Sequence, residues 1–301
     1  MQILLDSVNY IYNQGTPLEV HALLDVCLTI QEGTAVGILG GTGSGKTTLI
    51  KLLNGMLCPT KGRVSADGRP TVEYGAELRR RVGVVFQRPE RQLFEETVYK
   101  DVSFALRRSD GMSEEDIGRR VRDVCSLLGL DMDSIADRPP LSLSDSEKRK
   151  TAIAGILVND PEVVVLDEPA VGLDPPSARD LVELLAELKT TRGKTLVIVS
   201  HDMDRFLPLL DTLVVLWNGR VEAVGTPEEV CDHLHGKADR KDLIPRVAAL
   251  AHVLREAGFR VPKDEFRVQE MVEHLEHRSW TEEDRNRLWS LIRPLLSWDP
   301  V

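Results

Sequence analysis

The sequence predicts an α/β fold whose core sheet is mainly parallel. Three short segments rich in β-branched residues show no alternation of polar and apolar positions, which is typical of strands buried on both faces. They span residues 34–39 (TAVGIL), 163–166 (VVVL) and 195–200 (TLVIVS). Each is followed by a glycine-rich or polar stretch. Because the carboxyl ends of parallel strands meet at one edge of a sheet, these stretches are expected to converge on one site.

Smaller subdomains are predicted around this core. The dipeptides Asp-Gly at 67–68 and Asn-Gly at 218–219 tolerate the positive φ angles of tight hairpin turns. An antiparallel β subdomain should therefore accompany the parallel sheet. Between residues 87 and 155 the apolar pattern becomes helical, which predicts a helical subdomain of about residues 88–155 inserted before the second core strand.

The C-terminal part of the chain follows a different pattern. Beyond about residue 236 the strand signals stop, and apolar residues recur at i, i+3, i+4 and i+7 from Val247 and again from Leu288. We therefore predict one domain over residues 1–235 and a small C-terminal helical module over residues 236–301.

The composition limits the possible classes of protein. A chain of 301 residues with 42% hydrophobic residues can bury a full core, whereas a net charge of -10 and a pI near 5.3 argue against binding to nucleic acid. The four cysteines form no CxxC pair, which favours reduced thiols over zinc or disulfides. No apolar stretch approaches the roughly 18 residues of a spanning helix. We expect a soluble protein, for which docking on a membrane protein stays open.

A phosphate-binding loop is predicted after the first core strand. The segment GGTGSGKTT matches GxxxxGK[ST] between a predicted strand and a predicted helix, which is the context that this motif requires. The glycines let backbone N–H groups wrap a β-phosphate, the lysine reaches the β- and γ-phosphates, and the hydroxyl of Thr47 is offered to Mg²⁺. The predicted nucleotide-binding residues are Gly40, Gly41, Thr42, Gly43, Ser44, Gly45, Lys46, Thr47 and Thr48.

Two carboxylates follow the second core strand. In the stretch VVVLDEP, Asp167 is placed to hold Mg²⁺, and Glu168 is placed to accept a proton from an attacking water. An exposed acidic pair without a function is the alternative interpretation, but an apolar run that ends on the pair argues against it. Neighbouring carboxylates with distinct roles favour nucleotide hydrolysis over binding alone.

The histidines fall into two groups. His201 follows the third core strand, and although a lone histidine is more often structural, its position at a strand end favours contact with a γ-phosphate or with water. His233 and His235, like His274 and His277, have short spacings that could ligate a metal. Such weak motifs are more typical of surface histidines, and we interpret both pairs in that way.

The stretch LSLSDSEKRKTAIAG at 141–155 begins a predicted helix and allows two interpretations. Ser144 and Glu147 match a capping box, and acidic residues in a first turn complement the helix dipole. Alternatively, the helix start is an altered phosphate site, because a bare helix N-terminus attracts anions and Asp145 lies where an anion would bind.

These motifs, in this order, resemble those of an ABC-type ATPase: the phosphate loop, VVFQRPE, a signature region at 143–147, VVVLDEPAVGLDP and IVSHDMD. The resemblance covers most of residues 1–235. It implies that Gln87 approaches Mg²⁺ and water and that His201 is the switch histidine. It also implies that Tyr12 stacks on adenine; Tyr10 is the neighbouring candidate, and packing within a β segment is the alternative role.

A narrower likeness concerns RPERQLFEETVYKDVSFAL at 88–106, which is similar to the stretch after the glutamine in the ATPase subunits of energy-coupling factor importers. The tail at 245–275 is similar to that family's C-terminal module, which is associated with pairing of two ATPase subunits. These importers take up vitamins or transition-metal ions, and a separate membrane subunit selects the substrate.

The resemblance also implies the chain's cofactors and partners. ATP and Mg²⁺ are the expected cofactors, and no nucleic acid is expected. The partners would be a second ATPase subunit, a transmembrane coupling protein and a substrate-binding membrane subunit. The chain would lie at the cytoplasmic face of the cell membrane as a peripheral protein.

In such importers two ATPase subunits enclose two ATPs, each between the phosphate loop of one subunit and the signature helix of the other. The family signature is LSGGQ or LSGGE, whereas this chain has LSDSE. The missing glycines hinder close backbone approach to the partner's γ-phosphate, and Asp145 adds a like charge; two charges ~4 Å apart repel by roughly 4 kcal/mol at a dielectric of 20. The expected contacts across the dimer are Ser144, Asp145, Ser146, Glu147 and Asp174.

This altered signature favours a heterodimer, in which the partner supplies an intact signature, over a homodimer. The alternative function is a soluble ABC-type ATPase that acts on DNA, ribosomes or a regulatory partner without transport. The chain lacks the long coiled-coil insertion and the second cassette of such proteins. A P-loop GTPase fits less well, because no NKxD guanine motif occurs, and a P-loop kinase would not need residues 143–147, Asp174 and His201 together.

Overall fold

The computed structural model describes residues 1–88, 92–108 and 111–256, together with residues 258, 261, 281, 282, 286 and 290. The strands of this described part are β1 (Ile3–Tyr12), β2 (Val20–Ile30), β3 (Ala35–Leu39), β4 (Lys61–Ala66), β5 (Arg69–Pro70), β6 (Val82–Val85), β7 (Val163–Asp167), β8 (Thr195–Val199), β9 (Thr212–Trp217) and β10 (Arg220–Gly225). They form a six-stranded sheet in the order β10-β9-β3-β8-β7-β6 and a four-stranded sheet in the order β2-β1-β4-β5.

The α-helices lie between and after these strands. They are α1 (Lys46–Leu53), α2 (Ala76–Arg81), α3 (Val98–Arg107), α4 (Glu114–Leu127), α5 (Met132–Ile135), α6 (Asp145–Leu157), α7 (Pro175–Thr190), α8 (Pro227–His235) and α9 (Arg246–Glu256). Within the described residues, none of these helices combines the length and the apolar character that crossing a membrane requires.

The six-stranded sheet contains the three predicted core strands. β3, β7 and β8 pair parallel to one another and to β6 and β9, whereas β10 pairs antiparallel to β9. All residues of β3, β7 and β8 are buried. Because successive side chains of a strand point to opposite faces, the sheet divides the apolar core in two. Leu166 and Ile198 pack with the helices of one face, and Val165 and Val197 pack with α1 and the four-stranded sheet. The predicted α/β fold with a mainly parallel core sheet is confirmed.

Both predicted hairpin turns are present. Asp67 and Gly68, with φ angles of 47° and 77°, join β4 to β5 in the four-stranded antiparallel sheet. Asn218 and Gly219, with φ angles of 47° and 75°, join β9 to β10. Positive φ at both central residues is the requirement that favours Asn-Gly and Asp-Gly in tight hairpins.

The helices α3 to α6 lie between β6 and β7, in the part of the chain where the sequence pattern becomes helical. Val102 of α3, Val121 of α4 and Ile153 of α6 are buried in one apolar cluster with the core sheet. This packing places the start of α6 at the periphery of the core, with the helix itself anchored against it. The predicted limits of the helical subdomain, about 88–155, stay a prediction.

The described part of the C-terminal segment packs against the rest of the chain. α9 carries the apolar repeat that begins at Val247, and its buried residues belong to the cluster that contains Phe206 and Leu234. Asp204 accepts a hydrogen bond from the backbone N–H of Val247 at 2.7 Å, so its carboxylate caps α9. The second predicted repeat, from Leu288, lies outside the described residues, and the division at residue 235 stays a prediction.

Candidate nucleotide-binding and hydrolysis site

The phosphate loop connects β3 to α1, as the motif requires. Gly45 precedes α1 with a φ of 105°, and a Cβ at this position would lie 2.5 Å from the carbonyl oxygen of Ala22. A Cβ at Gly40 would lie 2.4 Å from the carbonyl oxygen of Leu216. Both contacts are too short for any side chain. The two glycines therefore let the loop fold closely against β2 and β9, and the first backbone N–H groups of α1 are directed at a site where an anion would bind.

The ammonium group of Lys46 lies across the loop. Its Nζ donates hydrogen bonds to the carbonyl oxygens of Gly40 at 2.6 Å and Gly41 at 2.9 Å. Burial lowers the pKa of Lys46, while the neighbouring Glu168 and Asp167 oppose that shift. The ammonium group is thus held inside the loop near two carboxylates, and it is already positioned to bind a phosphate.

The two threonines of the loop have different surroundings. Thr47 is exposed, whereas Thr48 is buried and its hydroxyl lies 3.1 Å from the hydroxyl of Tyr12. The ring of Tyr10 contacts that of Tyr12 edge to face, with centroids 4.8 Å apart. Tyr12 is therefore the tyrosine that hydrogen-bonds to α1, and Tyr10 contacts the ring of Tyr12.

The acidic pair lies where β7 ends. Asp167 is the last residue of β7, and Glu168 follows with a φ of 51°, a conformation that few non-glycine residues adopt. Burial raises the pKa of Asp167, the charge of Glu168 adds to the shift, and Lys46 opposes it. The pair thus combines an uncommon backbone conformation at Glu168 with a position at the edge of the core sheet.

The Glu168 carboxylate is fixed by the end of β8. It accepts hydrogen bonds from the Ser200 hydroxyl and from the His201 backbone N–H, both at 3.0 Å, and its Oε2 lies 2.8 Å from Nδ1 of His201. The Glu168 side chain is 10% exposed, whereas the His201 side chain is 71% exposed. The convergence of the ends of β7 and β8 was predicted; Ser200 was missed, and its position beside His201 is the signal that could have indicated it.

A buried arginine connects Gln87 to this site. Arg149 of α6 donates to the backbone carbonyl of Glu168 at 3.0 Å and to that of Gln87 at 2.9 Å, and only 4% of its surface is exposed. The side chain of Gln87 is exposed on the other side of this contact. Sequence reasoning missed Arg149, because a charged residue on a helix that begins with acidic and basic residues gives no sign of burial.

The signature residues form a separate group. Ser144 accepts from the Glu147 backbone N–H at 3.3 Å, and Glu147 accepts from the Ser144 backbone N–H at 2.8 Å, so the predicted capping box is present. The Asp145 side chain is 87% exposed and lies 3.3 Å from Nζ of Lys148. The Asp145 carboxylate therefore projects from the start of α6 with one cation beside it.

Asp174 and Ser146 meet at the start of α7. Asp174 caps α7 by accepting hydrogen bonds from the backbone N–H and the hydroxyl of Ser177, both at 2.9 Å. The hydroxyl of Ser146 lies 3.3 Å from that of Ser177. Of the residues predicted to contact a second subunit, Ser146 and Asp174 are thus connected through Ser177, which joins the first turns of α6 and α7.

Comparison with known proteins assigns this architecture to a family. The family model described as ABC transporter matches residues 23–171. Energy-coupling factor transporter ATP-binding protein EcfA2 of Caldanaerobacter subterraneus subsp. tengcongensis is 39% identical over 282 residues, which cover 91% of this chain and 96% of that protein. EcfA2 of Symbiobacterium thermophilum is 42% identical, with 90% and 94% covered.

The solved structures that resemble this chain are also ABC transporter proteins. The structure of cbiO1 from Clostridium perfringens, part of the ABC transporter complex cbiONQ, is 36% identical with a TM-score of 0.67, and the match covers 80% of this chain and 96% of that one. The bacterial ABC transporter cassette MJ0796, bound to ADP and Pi in a post-hydrolysis state, is 29% identical with a TM-score of 0.68, covering 74% and 98%. The chain belongs to the ABC transporter ATP-binding proteins, in the family of energy-coupling factor ATP-binding subunits. It is an ATP-hydrolysing enzyme.

Proposed function

We propose that the chain powers an energy-coupling factor importer for a vitamin or a transition-metal ion, from the cytoplasmic face of the membrane. The observation that carries this proposal is the likeness to EcfA2 proteins over about nine-tenths of the chain. It is combined with a complete phosphate-loop motif and with a Glu168 carboxylate that is fixed by a hydrogen bond from the His201 backbone N–H. The partners would be a second ATPase subunit, a transmembrane coupling protein and a substrate-binding membrane subunit.

Residues 40–48 would bind the phosphates of ATP. The glycine-bounded loop supplies backbone N–H groups, and Lys46 would exchange its bonds to the loop carbonyls for bonds to the β- and γ-phosphates. The exchange is favourable because a charged acceptor binds an ammonium more strongly than a neutral carbonyl does. Tyr12, held by Thr48 beside the loop, would stack on adenine.

The site fits Mg²⁺. The oxygen ligands that this ion prefers would come from Thr47, Asp167 and Gln87. A dication would also reduce the repulsion between the neighbouring carboxylates of Asp167 and Glu168. When bound, the ion would neutralise charge on the phosphates. In the described chain the buried hydroxyl of Ser44 has no hydrogen-bond partner, which leaves it as a donor to a bound group at the loop.

Hydrolysis would depend on Glu168 as the base. Ser200 and the His201 N–H fix the orientation of its carboxylate, so it can accept a proton from an attacking water without first reorganising. His201, mostly exposed on the outer side of that carboxylate, would contact the γ-phosphate. Arg149 would fix the positions of Gln87 and Glu168 relative to each other, because it donates hydrogen bonds to the backbone carbonyls of both.

The altered signature would make the two ATP sites unequal. The Asp145 carboxylate projects at the helix start that should approach a partner's γ-phosphate, and Ser146 is engaged with Ser177. Lys148 offsets part of the repulsion. In a heterodimer one of the two ATP sites would avoid this repulsion, because the phosphate loop of this chain would face an intact signature of the partner.

Purification from detergent-solubilised membranes tests the proposal. The tagged chain should co-purify with a membrane protein and with a second ATPase subunit, and the complex should hydrolyse ATP. Recovery in a soluble complex, with no membrane protein in the extract, would instead support a soluble ABC-type ATPase and contradict the importer assignment.

A further inference from the structure

Two helices at the C-terminal side of the described chain bring metal-ligating side chains together. The imidazole rings of His235, at the end of α8, and His252, in α9, are stacked with centroids 3.9 Å apart and planes 21° apart. Asp232 precedes His235 by one helical turn, so both point from the same side of α8. One ligand atom from each of the three residues lies within 4.8 Å of the others.

The hydrogen bonding of His235 prepares it for a metal. Its Nδ1 lies 2.8 Å from the carbonyl oxygen of Cys231, and because a carbonyl only accepts, Nδ1 carries the proton. Nε2 therefore keeps its lone pair. A backbone carbonyl that fixes the tautomer of a histidine is the usual outer partner of a metal ligand. Burial also lowers the pKa of His235, with a further lowering from His252, and the neutral imidazole is the form that binds metals.

We propose that Asp232, His235 and His252 bind a transition-metal dication of the Zn²⁺, Ni²⁺ or Co²⁺ type at the junction of α8 and α9. Two imidazoles and one carboxylate favour these ions over Mg²⁺ and Ca²⁺, which prefer oxygen ligands. Metal–ligand distances of about 2.0–2.2 Å require the ligand atoms to approach one another by roughly 1 Å. Rotation of one imidazole out of the stack provides this movement, and water completes the coordination.

The site would tie α9 to the rest of the described chain. α9 is attached to the turn after His201 by the cap from Asp204, and Glu228 of α8 lies 4.0 Å from Arg255 of α9. A metal shared by α8 and α9 adds a stronger link between the same elements. The link lies at a different place from the phosphate loop and Asp167, so its effect is on the position of α9 and not on the binding of Mg²⁺ with ATP.

Metal binding to the full chain tests the proposal. Protein stripped with EDTA, then freed of it and kept without nucleotide, is titrated with ZnCl₂ by calorimetry and with CoCl₂ by visible absorption. We expect one ion per chain, a raised Tm, and Co²⁺ bands typical of nitrogen ligands. His235→Ala and His252→Ala should each weaken binding by at least ~10-fold, because loss of a direct ligand costs no less than loss of its outer partner.

His233→Ala is the matched control. His233 lies on the same helix and its Nε2 faces Glu222 at 3.8 Å, outside the cluster of Asp232, His235 and His252, so this variant should bind Zn²⁺ like the wild type. Each variant must also show the wild-type rise in Tm on addition of ATP, which establishes that it is folded. In the wild type, bound Zn²⁺ should slow amide hydrogen exchange in α9.

Three results would overturn the proposal. The first is a wild-type chain that shows no saturable Zn²⁺ binding. The second is equal affinity in the wild type and in the folded His252→Ala variant. The third is binding that depends on His274 or His277 instead. If both alanine variants fail to fold, the wild-type Co²⁺ spectrum decides, and bands without nitrogen ligation contradict the site.

Discussion

At the scale of single residues, Glu168 is the group on which turnover should depend most. Glu168→Gln keeps the shape of the side chain and one acceptor for Ser200 or the His201 N–H, but it removes the base. We expect steady-state ATP hydrolysis by the assembled complex to fall by about 10²–10⁴-fold, the usual contribution of a general base, with ATP binding preserved. Hydrolysis and binding of a fluorescent ATP analogue, measured on the same preparation, check both parts.

Asp180→Asn provides a control for Glu168→Gln, because it also removes one carboxylate but lies on α7, outside the proposed ATP site. Its hydrolysis rate should match that of the wild type. Unchanged hydrolysis in the Glu168→Gln complex would remove Glu168 from the role of base.

The two neighbouring tyrosines can be separated by ATP affinity. Tyr12→Ala should raise the Kd for ATP by roughly 5- to 100-fold, since base stacking on an aromatic ring is worth about 1–3 kcal/mol. Tyr12→Phe keeps the ring and loses only the contact with Thr48, so its affinity should stay near that of the wild type. A larger loss in Tyr10→Ala than in Tyr12→Ala would move the adenine contact to Tyr10.

Residue-level prediction succeeded where the chemistry is local. The strand–loop–helix form of residues 35–53, the capping box of Ser144 and Glu147, and both Gly-containing turns are each encoded within a few consecutive positions, whereas the binding of phosphate by residues 40–48 stays a prediction. Ser200 and Arg149 act through contacts with residues 32 and 62 positions away, and no periodicity or motif of one sequence reports such a contact. The hydrogen bonds from Lys46 to the loop carbonyls of Gly40 and Gly41 are likewise visible only in coordinates.

At the scale of secondary-structure elements, Arg149 holds α6 to the edge of the core sheet. Arg149→Met should destabilise the protein, because the buried carbonyl of Glu168 loses its donor, at a cost of about 1–3 kcal/mol, and the part-buried carbonyl of Gln87 loses its donor as well. Lys150→Met, at the next and more exposed position of the same helix, should change the free energy of unfolding by less than ~0.5 kcal/mol. Urea unfolding of the two variants compares them; equal stability would show that Arg149 does not hold α6.

The attachment of α9 should depend on pH through Asp204. Burial raises the pKa of Asp204 above its ordinary value of 3.8, although the backbone N–H groups of Val247 and Arg246 oppose the shift. The folded protein therefore binds the proton more tightly than the unfolded chain, and the contribution of Asp204 to stability decreases as the pH rises from 3.8 through its folded-state pKa.

Asp204→Asn tests this dependence, since Asn keeps an oxygen that can cap α9 and cannot ionise. Over that pH range the variant should lose less stability than the wild type with rising pH, and above it the variant should be at least as stable. Thermal unfolding at several pH values measures the difference. Asp204→Ala is the control for the cap itself, and it should be about 1 kcal/mol less stable than Asp204→Asn at every pH, because neither variant titrates at this position. Parallel pH profiles for the wild type and Asp204→Asn would contradict a raised pKa.

At the scale of the whole molecule, the sequence predicts the sheet better than the arrangement of the helices around it. Buried parallel strands have a distinct composition, so β3, β7 and β8 are evident from their residues. The bulged pairing of β1 with β2, which shifts register between Leu5 and Tyr10, depends on tertiary packing. The close contact of α8 with α9 also joins residues distant in sequence, which is why His235 was interpreted as a surface residue although it is half-buried against His252.

The altered signature should make the two ATP sites of a dimer unequal. Asp145 and Ser146 replace the two glycines of the signature at the exposed start of α6, and Lys148 relieves only part of the added charge. A dimer of this chain with itself would carry the substitution at both sites, whereas a partner with an intact signature would complete the Glu168 site. Hydrolysis by this chain alone should therefore be slow, and restoring the glycines should accelerate it.

The most direct test compares ATP hydrolysis by the purified chain alone with that of the Asp145→Gly/Ser146→Gly variant at equal concentration. We expect a rate at least ~10-fold higher in the double variant, with an upper limit of several hundred-fold set by roughly 4 kcal/mol of unrelieved repulsion. Adding Glu168→Gln to the double variant should abolish the gain, which locates it at this site. If the wild-type chain hydrolyses ATP as fast as the double variant, Asp145 and Ser146 do not impair the signature.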